Sequence, residues 1–328
     1  PEAVVESTAA LVEELCAISS ASGDREGLYR MAERLGGELR GLGMLPELHA
    51  EPGIDGEAQP VLVARGPGVG ERFTLLVGHL DTVLPAVPPR RLGGRIEGTG
   101  ALDMKGGLAA FVGALHALRA RGERPPEDLV LVAVPDEEIG GPISVRAVRH
   151  WGAQAHTVLV LEPGLARGEG ETLVTGRRGL TTWRLDGRGT ASHSGVAYWE
   201  GRSALAAAAT WAGAVQRMSE RGDGPVVNVG RIVGGDSEFV SDVGEEHRFI
   251  GTSERLNIVA DRCLVEGEIR HLAVEDCERF LVRMRDLAAD LARGWGVALE
   301  LEEIERIPPM AVSPSSAALA AHLAEAAA

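Results

Sequence analysis

The sequence is poor in cysteine, in long apolar runs and in basic charge, and each scarcity excludes a class of protein. Its three cysteines, Cys16, Cys263 and Cys277, are widely spaced and form no C-x-x-C motif, which excludes a disulfide framework and a cysteine-rich zinc site. The longest apolar runs, such as residues 204–209, fall well short of the roughly 18 residues that a membrane span requires. No secretory leader opens the sequence, so we expect a cytoplasmic protein with reduced thiols and no membrane partner.

Basic residues are outnumbered by acidic ones, 33 against 48, which gives a formal net charge of −15. Such a chain repels phosphate backbones and shows no local basic patch, so we expect no nucleic-acid partner. The hydrophobic fraction of 45% is ordinary for a globular protein. At about 150 residues per domain, the 328 residues indicate two domains, or one large domain with an insertion.

The first half of the chain alternates helices with short, continuously apolar strands, which is typical of an α/β fold whose mainly parallel sheet is flanked by helices. Apolar residues at helical spacing predict helices over residues 6–19, 24–42 and 105–119. Apolar runs predict strands over residues 61–64, 73–77, 129–134 and 157–161.

After about residue 175 the pattern changes to the order β-α-β-β-α-β, which predicts an α+β domain with two helices on one face of its sheet. The strands are expected at residues 180–186, 226–233, 263–270 and 297–302, and the helices at 202–221 and 274–292. The Gly-rich, acidic stretch 234–254 is predicted to be a long loop, and a last helix is predicted to begin at Ser313. Cys16, the tryptophans and the methionines are interpreted as packing residues.

Histidine and acidic residues follow the predicted strands or enter a predicted helix, each beside glycine or proline. The motifs are Gly78-His79-Leu80-Asp81, Asp103-Met104-Lys105-Gly106-Gly107, Asp136-Glu137-Glu138 and Glu162-Pro163. In open α/β sheets the loops at the carboxyl ends of strands converge on one crevice. One imidazole among several carboxylates suits a pair of divalent cations such as zinc, because the carboxylates alone would repel one another.

Each of these residues also has an ordinary structural explanation when it is taken alone. Asp103 could be a helix N-cap, His79 a core histidine, and Glu137 and Glu138 a pair of surface acids. Their joint occurrence at strand ends favours the metal site.

In this order, the four motifs resemble those of the co-catalytic zinc aminoacylase and carboxypeptidase family, which includes glutamate carboxypeptidase, acetylornithine deacetylase and succinyl-diaminopimelate desuccinylase. The resemblance covers nearly the whole chain. It implies a zinc-peptidase catalytic domain formed by residues 1–175 and 308–328. It also implies an inserted lid and dimerisation domain over residues 176–307.

The resemblance also implies a role for each residue of the motifs. His79 and Glu162 would bind one metal ion, Glu138 would bind the other, and Asp103 would bridge the two. Asp81 would orient His79, and Glu137 would be the general base that takes a proton from the metal-bound water. The expected cofactors are two divalent ions, zinc first, with cobalt or manganese as alternatives.

The second domain carries a further part of the resemblance. The segment from Gly189 to Gly195 is similar to one whose histidine, here His193, reaches the neighbouring subunit's active site and helps to hold the oxyanion. Asn257 lies in a segment similar to the family's Asn-Val-x-Pro element, without its proline, and is expected to bind substrate. Arg270 is expected to bind the α-carboxylate of the substrate, which suits its guanidinium fork. We therefore expect a homodimer formed through this domain.

In the family, a histidine near the C-terminus completes the second metal site. This sequence ends at Ala328, and its nearest candidate, His322, lies within a predicted helix. We therefore expect the site of Glu138 to bind metal more weakly than the site of His79 and Glu162. The sequence is either a piece of a longer enzyme, which we favour because no upstream motif is degraded, or a truncated form.

These expectations lead to one favoured activity and two alternatives. The favoured activity is metal-dependent hydrolysis of an amide bond adjacent to a free amino-acid carboxylate, with small peptides as substrates, as in glutamate carboxypeptidase. The first alternative is deacylation of an N-acyl amino acid, as in acetylornithine deacetylase. The second is a catalytically silent dimeric binding protein, against which the presence of Glu137 argues.

Overall fold

The structure is a computed structural model that describes residues 2–68, 70–165, 172–246 and 257–327, with the side chains of 242–246 left out of the description. Contacts divide the chain into two compact units, Pro1–Gly164 and Leu165–Ala328. Residues 308–328, which the resemblance assigns to the catalytic domain, belong to the second unit by these contacts. The domain boundaries at 175 and 308 stay a prediction.

The first unit is built on a five-stranded mixed sheet with the order β1-β2-β6-β3-β7. Strands β6, β3 and β7 run parallel, whereas β1 and β2 are antiparallel additions at one edge. The elements in chain order are α1 (Glu2–Ala17), α2 (Arg25–Gly41), β1 (Leu45–Pro52), β2 (Ala58–Arg65), β3 (Thr74–His79), β4 (Arg90–Leu92), β5 (Arg95–Glu97), α3 (Lys105–Ala120), β6 (Leu129–Val134), α4 (Pro142–Gly152) and β7 (Thr157–Val160).

Both faces of the three central strands, β2, β6 and β3, are buried. Helices α1, α2 and α3 pack on one face around Leu62, Leu76 and Leu131. Helix α4 covers the other face, where Val63 and Val132 belong to its core. Alternate residues of one strand therefore enter different cores, which is why these strands are continuously apolar in sequence.

The predicted helices and strands of this unit are confirmed, with ends that shift by a few residues. The sequence analysis missed β1, the β4–β5 hairpin and α4. Strand β1 is mostly exposed and alternates polar with apolar residues irregularly, so it has no apolar run. Helix α4 is short and begins with Pro142, a residue that is common at the first position of a helix.

The second unit contains an antiparallel four-stranded sheet with the order β11-β8-β10-β9. One face is covered by α5 and α7, whose side chains form a core with Trp183, Trp211 and Phe280. The four strands and two covering helices of the predicted order β-α-β-β-α-β are confirmed, and α6 is an additional helix between β9 and β10. The elements are β8 (Gly179–Arg188), α5 (Ala204–Gln216), β9 (Val226–Gly235), α6 (Ser237–Glu246), β10 (Arg262–His271), α7 (Val274–Trp295), β11 (Ala298–Ile307) and α8 (Pro314–Ala327).

The predicted loop over residues 234–254 is wrong in its first half. Strand β9 continues to Gly235, and α6 follows at Ser237–Glu246. The carboxylate of Asp236 accepts hydrogen bonds from the backbone N–H groups of Glu238 and Phe239, which caps the start of this helix. Residues 247–254 lie outside the described part of the chain.

Among the described residues, no helix combines the length and the apolar character that crossing a membrane requires.

Candidate metal centre

His79 is the last residue of β3, and its buried imidazole is at the centre of the acidic cluster. Its Nδ1 lies 3.0 Å from the carbonyl oxygen of Asp81 and 3.3 Å from the carboxylate of Asp81. Its Nε2 lies 3.1 Å from Asp103 Oδ1 and 3.3 Å from Glu162 Oε1. Glu137 Oε2 is farther away, at 4.0 Å. Asp81 therefore holds the ring at Nδ1, while Nε2 faces carboxylates from three different loops.

Asp81 is fully buried and holds two parts of the centre together. Its carboxylate accepts hydrogen bonds from the backbone N–H groups of Glu137 at 3.2 Å and Glu138 at 3.1 Å. It also accepts one from the hydroxyl of Ser22 at 2.7 Å. Burial raises the pKa of Asp81, but the hydrogen bonds with His79 and Ser22 outweigh it and lower the pKa. The sequence analysis did not predict this role of Ser22, because Ser22 lies in the short break between the predicted helices 6–19 and 24–42.

A glycine lets the helix that follows Asp103 approach the end of the strand that precedes Glu162. The Asp103–Met104 peptide bond is cis, and α3 begins directly after it at Lys105. A Cβ at Gly107 would lie 1.9 Å from the carbonyl oxygen of Leu161, the residue before Glu162. Only glycine permits this approach of α3 to the end of β7.

Glu137 and Glu138 lie in a single 3-10 turn, Glu137–Ile139, that follows β6. The turn ends at Gly140, whose φ of 62° is in the left-handed region that favours glycine. Burial is the largest cause that raises the pKa of both glutamates, and neighbouring carboxylates raise it further. The charge of the His79 imidazole lowers the pKa of both glutamates, but by less than burial raises it.

The donor atoms form two overlapping groups that could each hold a metal ion. His79, Glu137 and Glu162 form one group, and His79, Asp103 and Glu138 form the other, with the atoms of each group within 4.8 Å of one another. The donor set fits divalent cations, because carboxylates that raise one another's pKa are stabilised by positive charge. Burial lowers the pKa of His79, but hydrogen bonds with Asp81 and Glu162 reverse this and raise it to about 11.

The structure brings together every residue that the sequence analysis assigned to the metal ions, together with Asp81 and Glu137. The division of roles between Glu137 and Glu138 stays a prediction, because each carboxylate belongs to one donor group.

In the second unit, His193 and Asn257 lie next to each other and are exposed. The side-chain nitrogen of Asn257 is 3.4 Å from His193 Nε2, and the Ser194 N–H donates to the Asn257 carbonyl oxygen at 2.8 Å. Arg270 lies on β10, where its guanidinium forms two 3.0 Å hydrogen bonds with the carboxylate of Glu268.

The interpretation of all tryptophans as packing residues is wrong for Trp199. Trp183 and Trp211 are buried in the core of the second unit, but the Trp199 side chain is largely exposed, next to Tyr198. Tyr198 and Trp199 lie five and six residues after His193. Their closeness to this candidate site residue was the only feature of the sequence that could have marked them as exposed side chains of functional interest.

Comparisons with known proteins agree with this architecture. A family model described as peptidase family M20/M25/M40 matches residues 75–328. The chain is 33% identical over 154 residues to a succinyl-diaminopimelate desuccinylase of Paracoccus denitrificans, covering 43% of this chain and 40% of that protein. It is 31% identical over 199 residues to carboxypeptidase G2 of a Pseudomonas species, covering 59% of this chain and 47% of that protein. The matched stretches thus span about half of these relatives or less.

Two solved structures share the fold. An aminopeptidase PepT from Bacillus cereus has a TM-score of 0.75 at 22% identity, covering 94% of this chain and 78% of that chain. A tripeptidase from Staphylococcus aureus has a TM-score of 0.76 at 21% identity, covering 98% of this chain and 81% of that chain.

Proposed function

The chain belongs to peptidase family M20/M25/M40, and on this premise we propose that it hydrolyses an amide bond adjacent to a free amino-acid carboxylate with the help of two divalent metal ions. The observation that carries the proposal is the pair of overlapping donor groups centred on His79. One group would hold one ion through His79 and Glu162, the other would hold the second ion through Glu138, and Asp103 would bridge them.

When bound, such ions polarise the scissile carbonyl and lower the pKa of a water molecule. The work of the chain's own residues is positioning and proton transfer. Asp81 fixes the His79 ring and the turn of the two glutamates. Glu137 would accept a proton from the attacking water as the new C–O bond forms, and would then pass that proton to the amine nitrogen, so that the C–N bond breaks and the amine leaves. The raised pKa of Glu137, caused mainly by burial, suits a carboxylate that both takes and gives a proton.

Two substrate classes follow from the premise. The favoured one is a small peptide or acyl-glutamate, and carboxypeptidase G2 is among the relatives. The second is an N-acyl amino acid, for which the similarity to a succinyl-diaminopimelate desuccinylase speaks. Hydrolysis rates of the metal-loaded protein on folyl-glutamate, N-acetylornithine and N-succinyl-diaminopimelate would distinguish them.

The exchange of Glu137 for glutamine tests the proton-transfer role. We expect Glu137→Gln to keep its metal and lose at least about 100-fold in kcat, because only the proton acceptor is removed. Asp103→Ala is the matched comparison and should instead lose metal, because a bridging ligand serves both ions. Metal content by emission spectroscopy and initial rates are measured on both variants. Near-normal turnover by Glu137→Gln would reject the role of Glu137.

A further inference from the structure

The buried carboxylate of Asp81 has four contacts, and the shortest of them comes from outside the loops that carry the acidic cluster. The hydroxyl of Ser22 donates to Asp81 Oδ2 at 2.7 Å. The backbone N–H of Glu138 donates to the same oxygen at 3.1 Å. At Oδ1, the N–H of Glu137 donates at 3.2 Å and His79 Nδ1 lies at 3.3 Å. Ser22 therefore holds the carboxylate from the side opposite to the imidazole.

The segment that carries Ser22, between α1 and α2, is paired with the backbone that follows β3. The N–H of Ser22 donates to the carbonyl oxygen of Thr82 at 3.0 Å, and the N–H of Thr82 donates to the carbonyl oxygen of Ser20 at 3.0 Å. These bonds form a short parallel bridge between Ala21 and Thr82. The hydroxyl of Ser22 is thus presented by a fixed backbone, which lowers the entropy lost when it binds the carboxylate.

Both ends of this segment are fixed by the helices of the first unit. Before it, the Lys105 ammonium group donates to the carbonyl oxygen of Ile18 at 2.7 Å. After it, the carboxylate of Asp24 accepts from the N–H of Gly27 at 3.0 Å and caps α2. The position of Ser22 is therefore set by the packing of α1, α2 and α3, and not by the loops of the acidic cluster.

The carboxylate that Ser22 holds controls how the imidazole of His79 is presented. Nδ1 of His79 faces two acceptors, the carbonyl oxygen and the carboxylate of Asp81, so it carries the proton and leaves Nε2 free to bind a cation. Without the Ser22 hydroxyl, Oδ2 would keep one donor at 3.1 Å, and a buried charge would lose its shortest hydrogen bond. A carboxylate held less firmly fixes the ring less firmly.

From these contacts we infer that Ser22 is a positioning residue of the metal centre. Its hydroxyl fixes the Asp81 carboxylate, and this carboxylate sets the His79 ring and the turn of Glu137 and Glu138 for binding divalent cations. The inference rests on the proposed function and adds to it a residue from outside the acidic motifs.

Ser20 provides a matched control on the same segment. It is fully buried, and its hydroxyl has no hydrogen-bond partner among the residues that the structure describes. Ser20→Ala therefore removes the same atom as Ser22→Ala, two positions away, without removing a hydrogen bond from Asp81.

Zinc affinity of the metal-free protein, measured by competition with a chromophoric chelator, tests the inference. We expect Ser22→Ala to bind zinc about 10–100-fold more weakly, the usual loss when a residue that orients a metal ligand is removed. Ser22→Thr keeps a hydroxyl and should retain most of the affinity, and Ser20→Ala should retain all of it. Unchanged affinity in Ser22→Ala, or an equal loss in Ser22→Thr or Ser20→Ala, would overturn the inference.

A second pair of variants serves if Ser22→Ala does not fold. Ser22→Thr and Ser22→Val have the same shape and differ only in the hydroxyl group. We expect Ser22→Thr to bind zinc more tightly than Ser22→Val by the same 10–100-fold, and equal affinities would contradict the role of the hydroxyl.

Kinetics at saturating zinc give a readout that loss of stability alone would not produce. Ser22→Ala should lower kcat by about tenfold and leave KM within about twofold of its normal value, because Ser22 acts through Asp81 and not on the substrate. Ser20→Ala should change neither constant.

The same measurements separate failure of the inference from failure of the proposed function. Zinc binding that only Ser22→Ala weakens, in a chain that hydrolyses no peptide or acyl amino acid, would support the inference and contradict the proposed function. Hydrolysis by a chain in which Ser22→Ala changes neither zinc affinity nor kcat would do the reverse.

A chain that binds no zinc would contradict the proposed function, and the inference is then decided by amide hydrogen exchange of the metal-free protein. The N–H groups of Glu137 and Glu138 should exchange faster in Ser22→Ala than in the unmodified chain or in Ser20→Ala, because their shared acceptor is held less firmly. Equal exchange in all three would overturn the inference.

Discussion

Lys105 is the only lysine of the chain, and its side chain is buried. Its Nζ donates hydrogen bonds to the carbonyl oxygens of Leu15 at 3.0 Å and Ile18 at 2.7 Å, at the C-terminal end of α1. The Leu15 carbonyl oxygen also accepts a hydrogen bond from the N–H of Ile18 at 3.2 Å, and Lys105 adds a charged donor from α3 that stabilises this helix end. Lys105 therefore joins two elements of the first unit although it lies two positions from a proposed metal ligand.

We expect Lys105→Met to lower the free energy of unfolding by about 1–3 kcal/mol, because the carbonyl oxygens of Leu15 and Ile18 lose the hydrogen bonds of the Lys105 ammonium group. Burial lowers the pKa of Lys105 to about 8, from a usual value of 10.5. Between these two values the unfolded chain binds the proton that the folded chain has released, so the free energy of unfolding should rise with pH across this window. The rise should reach at most about 3 kcal/mol.

Urea titrations of the metal-free protein between pH 7.5 and 10.5 measure this rise, and Lys105→Met should abolish it. Because the chain has one lysine, its ¹⁵Nζ resonance reports the pKa of that residue alone. A pKa near 10.5 in the folded protein would contradict the assignment.

At the scale of the element, the start of α4 depends on Asp136, a buried carboxylate that is separated from the helix by the turn of Glu137 and Glu138. It accepts hydrogen bonds from the backbone N–H groups of Ile143 at 3.0 Å and Ser144 at 2.8 Å. These are among the first N–H groups of the helix, which have no intrahelical partner. Asp136 thus acts as a cap and closes the loop that presents the two glutamates.

We expect Asp136→Ala to lower the free energy of unfolding by about 2–3 kcal/mol, the combined scale of a lost cap and of charged hydrogen bonds within a buried site. Metal affinity should fall as well, because the turn of Glu137 and Glu138 loses its C-terminal anchor. Chemical denaturation and a metal titration measure the two effects. Asp128→Ala is the control, since Asp128 is exposed and lies just before β6. Equal losses in both variants would contradict the capping role.

At the scale of the whole molecule, the expected homodimer raises the question of which edges of the second unit are free. Strand β9 is an edge of the sheet, but its outward amide groups at Val227 and Val229 are bonded to the side chains of Ser219 and Gln216. This half of the edge is therefore closed to pairing with another strand. We expect any interface of the lid to use other surfaces.

If His193 acts on the active site of the neighbouring subunit, two inactive variants should complement each other. His193→Ala and Glu137→Gln, mixed after dissociation, would form mixed dimers that contain one site with both residues intact. Random reassortment then predicts about a quarter of normal activity, since half of the dimers are mixed and each has one working site. Equal protein concentrations of the separate variants are the control. Activity no greater than their sum, in a mixture that sedimentation shows to be dimeric, would contradict action between subunits.

Much of the fold was open to prediction because it depends on local patterns. Helical spacing predicted α1, α2, α3 and α7, and apolar runs predicted β2, β3 and β6, because burial on one or both sides leaves a periodic trace. The motifs around His79 and Asp103 indicated a metal site from their residue types and their positions at element ends. Strand β1 and helix α4 left no such trace, since one is mostly exposed and the other short.

The sequence by itself determined the principal buried strands and helices of both units and indicated which acidic residues gather around His79. The tertiary structure alone decided which donor groups His79 shares, and that Ser22 supports Asp81 from 59 positions away. It also decided that Lys105 joins α3 to α1 from 87 to 90 positions away and that Trp199 is exposed. The physical reason is that periodicity records only whether a side chain is buried. The partner of a buried polar group, or the absence of cover over an apolar one, depends on segments distant in sequence that meet only in the folded chain.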